Sequence, residues 1–194
     1  MKKLFLLGSG GHSRSVAEVS TDRYSAGQVK ILSLEEFALL PEDSCLESVE
    51  FLVALGDVKK RNAYYKLLLQ RSWRVTNLVS SKAFLADDVT LGQGSVIMPG
   101  AVIRTAAQIY PNTIINTSVI VEHDCVIGES SNLSPGTVVC GSCNIGNQVF
   151  VGAGAVLIDG ISVCDGAVIG AGAVVIENIC LPGLYVGNPA RRVK

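Results

Sequence analysis

Charge is scarce in this chain. Only 17% of its 194 residues are charged, 16 basic against 17 acidic, which leaves a net charge of −1 and an isoelectric point near 6.1. A nucleic-acid partner wants a basic face, so that class is set aside. Long apolar runs are missing as well. Met1-Lys2-Lys3 followed by Leu4 to Leu7 imitates a signal peptide, but its apolar run ends after four residues at Gly8, and no segment approaches the length of a membrane span. Histidine occurs twice, at His12 and His123, too few per chain for a three-histidine zinc site. The six cysteines form no disulfide framework, and Cys140-Gly-Ser-Cys143 has no second pair or histidine beside it, so they read as reduced packing residues of a cytoplasmic protein. What the chain does have is 48% apolar residues, enough at this length for two small cores.

Most of that apolar content is periodic. Sixteen aliphatic residues stand six apart from Leu85 to Val175, through Ile97, Ile115, Val121, Leu133 and Val151, without a slip in register. A period of six fits neither a helix nor an open alternating strand. It fits a β-helix in which each hexad is a short strand plus a turn and three hexads close a triangular coil. The residue four places after each aliphatic is usually small (Ser95, Ala101, Thr113, Cys125, Ala155), as a second inward position at a tight corner requires. Glycine often follows the aliphatic (Gly92, Gly128, Gly146, Gly152, Gly170), which predicts a sharp turn or a positive φ there.

The first eighty residues obey other rules. Lys3 to Leu7 reads as a strand running into Gly8-Ser9-Gly10-Gly11-His12, and Ser13 to Val19 as a helix. Phe51 to Leu55 is a second strand ending at Gly56-Asp57, Val58 to Gln70 a helix, and Arg74 to Val79 a third strand. Strand, glycine turn, helix is the grammar of a small parallel α/β domain. The expected division is therefore an α/β domain over 1–80 and a β-helix over 81–194, with a tail from Pro182. Ile31 to Phe37 reads two ways: a strand with Glu35-Glu36 at its end, or a helix start, since Ser33 and Glu36 have capping-box spacing.

Two places carry candidate chemistry. Glu122-His123-Asp124 gathers three ionisable groups on one turn, where an acid beside an imidazole raises its basicity and orients its ring. His123 is a candidate general base, against a plain solvated histidine. Gly8-x-Gly10-Gly11-His12 sits where a strand meets a helix, a place where bare amides cradle phosphate. Ser13 stands at the third glycine position of the dinucleotide fingerprint, so a phosphate site fits better than a redox cofactor, and a turn that merely needs glycine is the competing reading.

With Asn116-Thr-Ser-Val-Ile-Val-Glu-His-Asp-Cys-Val-Ile-Gly128, the hexads and the closing Gly187-Asn188-Pro189-Ala190-Arg191 in view, the whole chain resembles sugar O- and N-acyltransferases of the sialic-acid O-acetyltransferase type, and most closely bacterial UDP-4-amino-sugar N-acetyltransferases of the bacillosamine pathway. The resemblance implies a Rossmann-like N-terminal domain holding a nucleotide-sugar, a left-handed β-helix, and a homotrimer with acetyl-CoA along the groove between neighbouring coils. It implies His123 as general base and Asp124, a shortened stand-in for the relatives' glutamate, as the acid beside it, with Asn116 near the active site. Gly10, Gly11, His12 and Gly56 match nucleotide-sugar contacts, and Glu35-Glu36 stands where relatives carry Asp-Asp against uracil. Ala153 and Ala171 match positions lining the acetyl-CoA groove. Asn132 replaces a histidine there, so that contact is altered or lost. No metal and no acyl-enzyme are implied. The expected reaction is direct acetyl transfer to the 4-amino group of a UDP-linked amino-deoxy sugar, with O-acetylation of a sialic acid or related hydroxyl as the alternative.

Overall fold

The computed structural model describes residues 2–25, 27–40 and 48–193. Cys45 lies outside these residues. The N-terminal part is a parallel sheet of β1 (Lys3–Leu7), β2 (Val29–Leu32) and β3 (Val49–Val53) in the order β2-β1-β3, with α1 (Gly11–Ser20), α2 (Leu34–Ala38) and α3 (Val58–Gln70) between and after the strands. Alternate side chains of β1 go to opposite faces, as the period of two demands. Leu4 and Leu6 pack with Val16 and Val19 of α1, and Leu7 packs in a second cluster with Phe37, Phe51, Leu68 and Trp73. The Phe51 and Trp73 rings stack with centroids 4.6 Å apart.

Both readings of Ile31 to Phe37 are realised in succession. The strand ends at Leu32, and Ser33 then caps α2, its hydroxyl accepting from Glu36 N while the Glu36 carboxylate accepts from Ser33 N. The expected third strand over 74–79 splits instead. Val75 bridges Phe51 in the small sheet, but Leu78–Val79 pairs with Val96–Ile97 and so opens the β-helix. The physical cause is the shared core: Leu78, Val96 and Met98 pack in one cluster with Leu4, Leu6 and Val16.

From Leu78 onward the chain is a parallel β-helix of two-residue strands repeating every 18 residues on three flanks. The first flank starts Leu78–Val79, Val96–Ile97, Ile114–Ile115 and continues through Asn132–Leu133, Phe150–Val151 and Val168–Ile169. The second runs from Phe84–Leu85 through Ile120–Val121 to Val174–Val175, and the third from Thr90–Leu91 to Ser162–Val163. The register pairs residues one coil apart, for example Val121 with Ile103 and Val139. The periodic aliphatics from Ile97 to Val175 fill a single core together with the small residues four places on. Leu184–Val186 of the tail adds to the first flank beside Val168–Ile169.

The glycines that follow the aliphatics serve a purpose other than positive φ. From Gly94 to Gly172 the left-handed residue is always the third after the aliphatic, whether glycine or, as at Asn112, Ser118 and Asp124, another residue. Gly128 and Gly152 are needed for proximity: a β-carbon there would stand 2.5 Å and 2.4 Å from the backbone of the next coil.

Arg61 of α3 joins the two parts. It is 1% exposed, and its guanidinium donates to the carbonyls of Leu55, Asn112, Ser130 and Ser131, tying the end of β3 to two β-helix corners.

Candidate active site

His123 projects from the corner between the second and third flanks. The inward Val121 and Cys125 on either side leave only the turn residues free to point outward. Its Nδ1 lies 2.8 Å from Asp124 Oδ2, and both side chains are more than half exposed. The shorter carboxylate therefore reaches the ring. It does so from a left-handed backbone (φ 58°), a conformation that aspartate accepts more readily than most residues. The hydrogen bond to Asp124 raises the imidazole pKa above its usual value, and the charges of Glu122 and Asp159 add to this. With Nδ1–H given to the carboxylate, Nε2 carries the free lone pair.

Two residues of this corner lie one and two coils further on. A β-carbon on Gly141 would stand 2.7 Å from both Cε1 and Nε2 of His123, so the ring rests against Gly141 and any larger residue there would displace it. The Gly141 amide in turn donates to Asp159 Oδ1 at 3.1 Å. Sequence reasoning missed both. Their spacing of 18 and 36 residues from His123, one and two coils of three hexads, is the signal that could have found them. Cys125, adjacent in sequence, is buried in the core, and its hydrogen bond to Cys143 and its burial push its thiol well above the ordinary cysteine range. That disfavours a thiolate nucleophile.

Asn116, Ala153 and Ala171 are not beside His123. They line the other rim of the second flank, at the corner between the first and second flanks, with Asn116 Oδ1 accepting from Thr117 N at 2.8 Å. Asn132 sits on the first flank, 6% exposed, under the end of β3: its Nδ2 is 3.5 Å from Gly56 O and its Oδ1 has no partner. Between the two rims the second flank presents an apolar outer ladder of Phe84, Val102, Ile120, Val138, Val156 and Val174 in register, flanked by Ile158 and Ile176.

Gly10, Gly11, His12, Glu35, Glu36 and Gly56 all follow strand ends on one edge of the small parallel sheet, where ligands bind in open α/β sheets. Glu36 is committed to the α2 cap, while Glu35 is exposed. Gly8 needs to be glycine for the fold, with φ 131° and Ala54 O at 2.8 Å from a β-carbon. Gly10, Gly11 and Gly56 do not: none has a positive φ, and nothing lies within 4 Å of a β-carbon except Arg14 Nη2 at 3.8 Å from that of Gly11. His12 is held neutral, its pKa pulled down to about 4 by burial and by the charge of Arg61, and its Nε2 is buried without a partner.

The family pattern described as bacterial transferase hexapeptide (six repeats) matches residues 142–177. Solved structures match from end to end. The acetyltransferase domain of PglB from Neisseria gonorrhoeae is 26% identical, with all of both chains covered and a TM-score of 0.92. The same domain in complex with acetyl coenzyme A is matched at 27% identity over 99% of each chain, with a TM-score of 0.88. PerB from Caulobacter crescentus, in complex with CoA and GDP-perosamine, is 26% identical, with 100% of this chain and 98% of that one covered and a TM-score of 0.91. Over its full length this chain is built as those acetyltransferase structures are built.

Proposed function

We propose that the chain is an acetyl-CoA-dependent N-acetyltransferase for the 4-amino group of a nucleotide-linked amino-deoxy sugar, a UDP-sugar in the first instance. One observation carries the reading: an exposed His123–Asp124 pair, its ring seated on Gly141, stands on a fold matched end to end by acetyltransferases. The nucleotide-sugar lies on the sheet edge at Gly10–His12, Glu35, Glu36 and Gly56, and Gly10, Gly11 and Gly56 support this because the fold itself does not need glycine there. Acetyl-CoA lies along the rim of Ala153 and Ala171, near Asn116 and Asn132. His123 and that rim bound opposite sides of an apolar ladder. The coil is read as left-handed, and a second copy covering the ladder brings one chain's His123 to its neighbour's coenzyme rim, which supports a homotrimer with closed symmetry. The domain boundary near residue 80 then separates nucleotide-sugar binding from transfer.

His123 Nε2 accepts the proton released as the sugar amine attacks the thioester carbonyl. The C–N bond forms, the C–S bond breaks, and the imidazolium returns the proton to the departing thiolate. Asp124 holds the ring and stabilises its charged form. Mixing acetyl-CoA with a panel of UDP- and GDP-linked 4-amino sugars is expected to release free thiol and yield a product that hydroxylamine does not cleave. A hydroxylamine-labile product points to O-acetylation, and no thiol release with any sugar refutes the reading. His123→Ala is expected to lower turnover by roughly two to four orders of magnitude; a variant retaining above about a tenth of the rate removes His123 as the base.

A further inference from the structure

Arg61 is a buried cation that the transfer chemistry leaves unused. Its Nε donates to Asn112 O at 3.1 Å, Nη1 to Leu55 O at 3.1 Å and Gly56 O at 3.4 Å, and Nη2 to Ser130 O at 2.6 Å and Ser131 O at 3.2 Å. Every acceptor is a neutral carbonyl. Among the described residues no carboxylate stands within ion-pair distance. Asp57, whose charge Arg61 feels, is engaged as the α3 cap and accepts from Lys60 N at 2.8 Å. Burial lowers the guanidinium pKa to about 10, so it keeps its charge at neutral pH. A positive charge that is 1% exposed and unpaired is costly to hold, and tying carbonyls together does not by itself require one.

Its position supplies a reason. Arg61 lies under Leu55 and Gly56, at the sheet edge that also carries the Gly8–His12 turn, and its field reaches His12. His12 adds no positive charge there, yet its Nε2 is buried and unpartnered. The edge thus has open glycine backbone, a buried imidazole nitrogen without a partner and one fixed charge beneath them.

We propose that Arg61 is the positioning cation of a diphosphate subsite: from beneath the Gly56 turn it holds the diphosphate of the sugar nucleotide against the open backbone of Gly10 and Gly11, beside His12. This rests on the reading of that edge as the nucleotide-sugar site. All five N–H groups of Arg61 are already donated, so it acts through its field and through the loop carbonyls it fixes, and it makes no direct contact.

Calorimetric titration of UDP, uridine and coenzyme A into wild type, Arg61→Gln and Arg61→Lys tests this. Arg61→Gln is expected to lose about tenfold in UDP affinity with uridine affinity retained. Arg61→Lys keeps most of the preference for UDP over uridine, and coenzyme A binding is unchanged in both. An unchanged UDP-to-uridine ratio in Arg61→Gln, or parallel loss of UDP, uridine and coenzyme A, overturns the proposal and assigns Arg61 to structure alone. Should Arg61→Gln not fold, the wild-type chain still decides: inorganic diphosphate titrated alone is expected to shift the ring resonances of His12 and leave those of His123 unmoved. No response from His12 overturns the proposal. A His12 response to diphosphate in a chain that transfers no acetyl group leaves the subsite standing and removes the acetyltransferase reading. Acetyl transfer with an unaltered UDP preference in Arg61→Gln does the reverse.

Discussion

Asp124 illustrates how one residue meets two demands at once. The corner requires a left-handed conformation at its position, as at every corner from Gly94 to Gly172, and half of those corners use glycine. Aspartate accepts that conformation and places a carboxylate 2.8 Å from the ring of His123. Asparagine tolerates the same backbone, so Asp124→Asn removes the charge without straining the turn. A base works only when unprotonated, and the Asp124 carboxylate raises the His123 pKa. With His123 as the base, the acid limb of the kcat/KM profile is expected above the pH of an ordinary histidine in wild type and at lower pH in Asp124→Asn, with a smaller loss of turnover than in His123→Ala. A limb that stays put shows that Asp124 does not tune the group being titrated.

At the scale of elements, the turn from β1 into α1 combines glycines kept for the fold with glycines the fold does not explain. Gly8 meets the Ala54 carbonyl at a positive φ, whereas Gly10 and Gly11 have room for a side chain. Gly11→Val is accordingly expected to leave the melting temperature nearly unchanged while raising KM for the nucleotide-sugar roughly tenfold, about the worth of one main-chain hydrogen bond to a charged group. KM for acetyl-CoA stays as it was. A lowered melting temperature with an unchanged sugar KM places Gly11 among the turn-shaping glycines instead. The capping box of Ser33 and Glu36 was readable locally because its partners are three residues apart. The fate of Arg74 to Val79 was not, because nothing in its own composition says which of two sheets Leu78 joins.

At the scale of the molecule, the second flank is the feature in want of a partner. Its ladder from Phe84 to Val174 turns β-branched and aromatic side chains outward in register. Light scattering is expected to report about three times the 20.4 kDa chain mass, and Val138→Glu, at mid-ladder, to give a folded monomer with little transfer activity although His123 and Asp124 are untouched. A monomeric wild type, or a fully active monomeric Val138→Glu, ends the shared-site arrangement.

The β-helix was written in the sequence because its core is a one-dimensional rule: an aliphatic every six residues and a small residue four places on, each buried by neighbours one coil away. The candidate base was legible because His123 and Asp124 are adjacent, and the strand-end turns because glycine stands out from an apolar strand. Tertiary structure decided which side chains meet across neighbouring coils and how the two parts join. Only the 18-residue coil lays Gly141 against the His123 ring, and only the packing of α3 against the β-helix corners buries Arg61 under Gly56. The contacts that do this, Gly141 with His123 and Arg61 with Asn112, Ser130 and Ser131, pair residues 18 to 70 positions apart, and no local propensity specifies them.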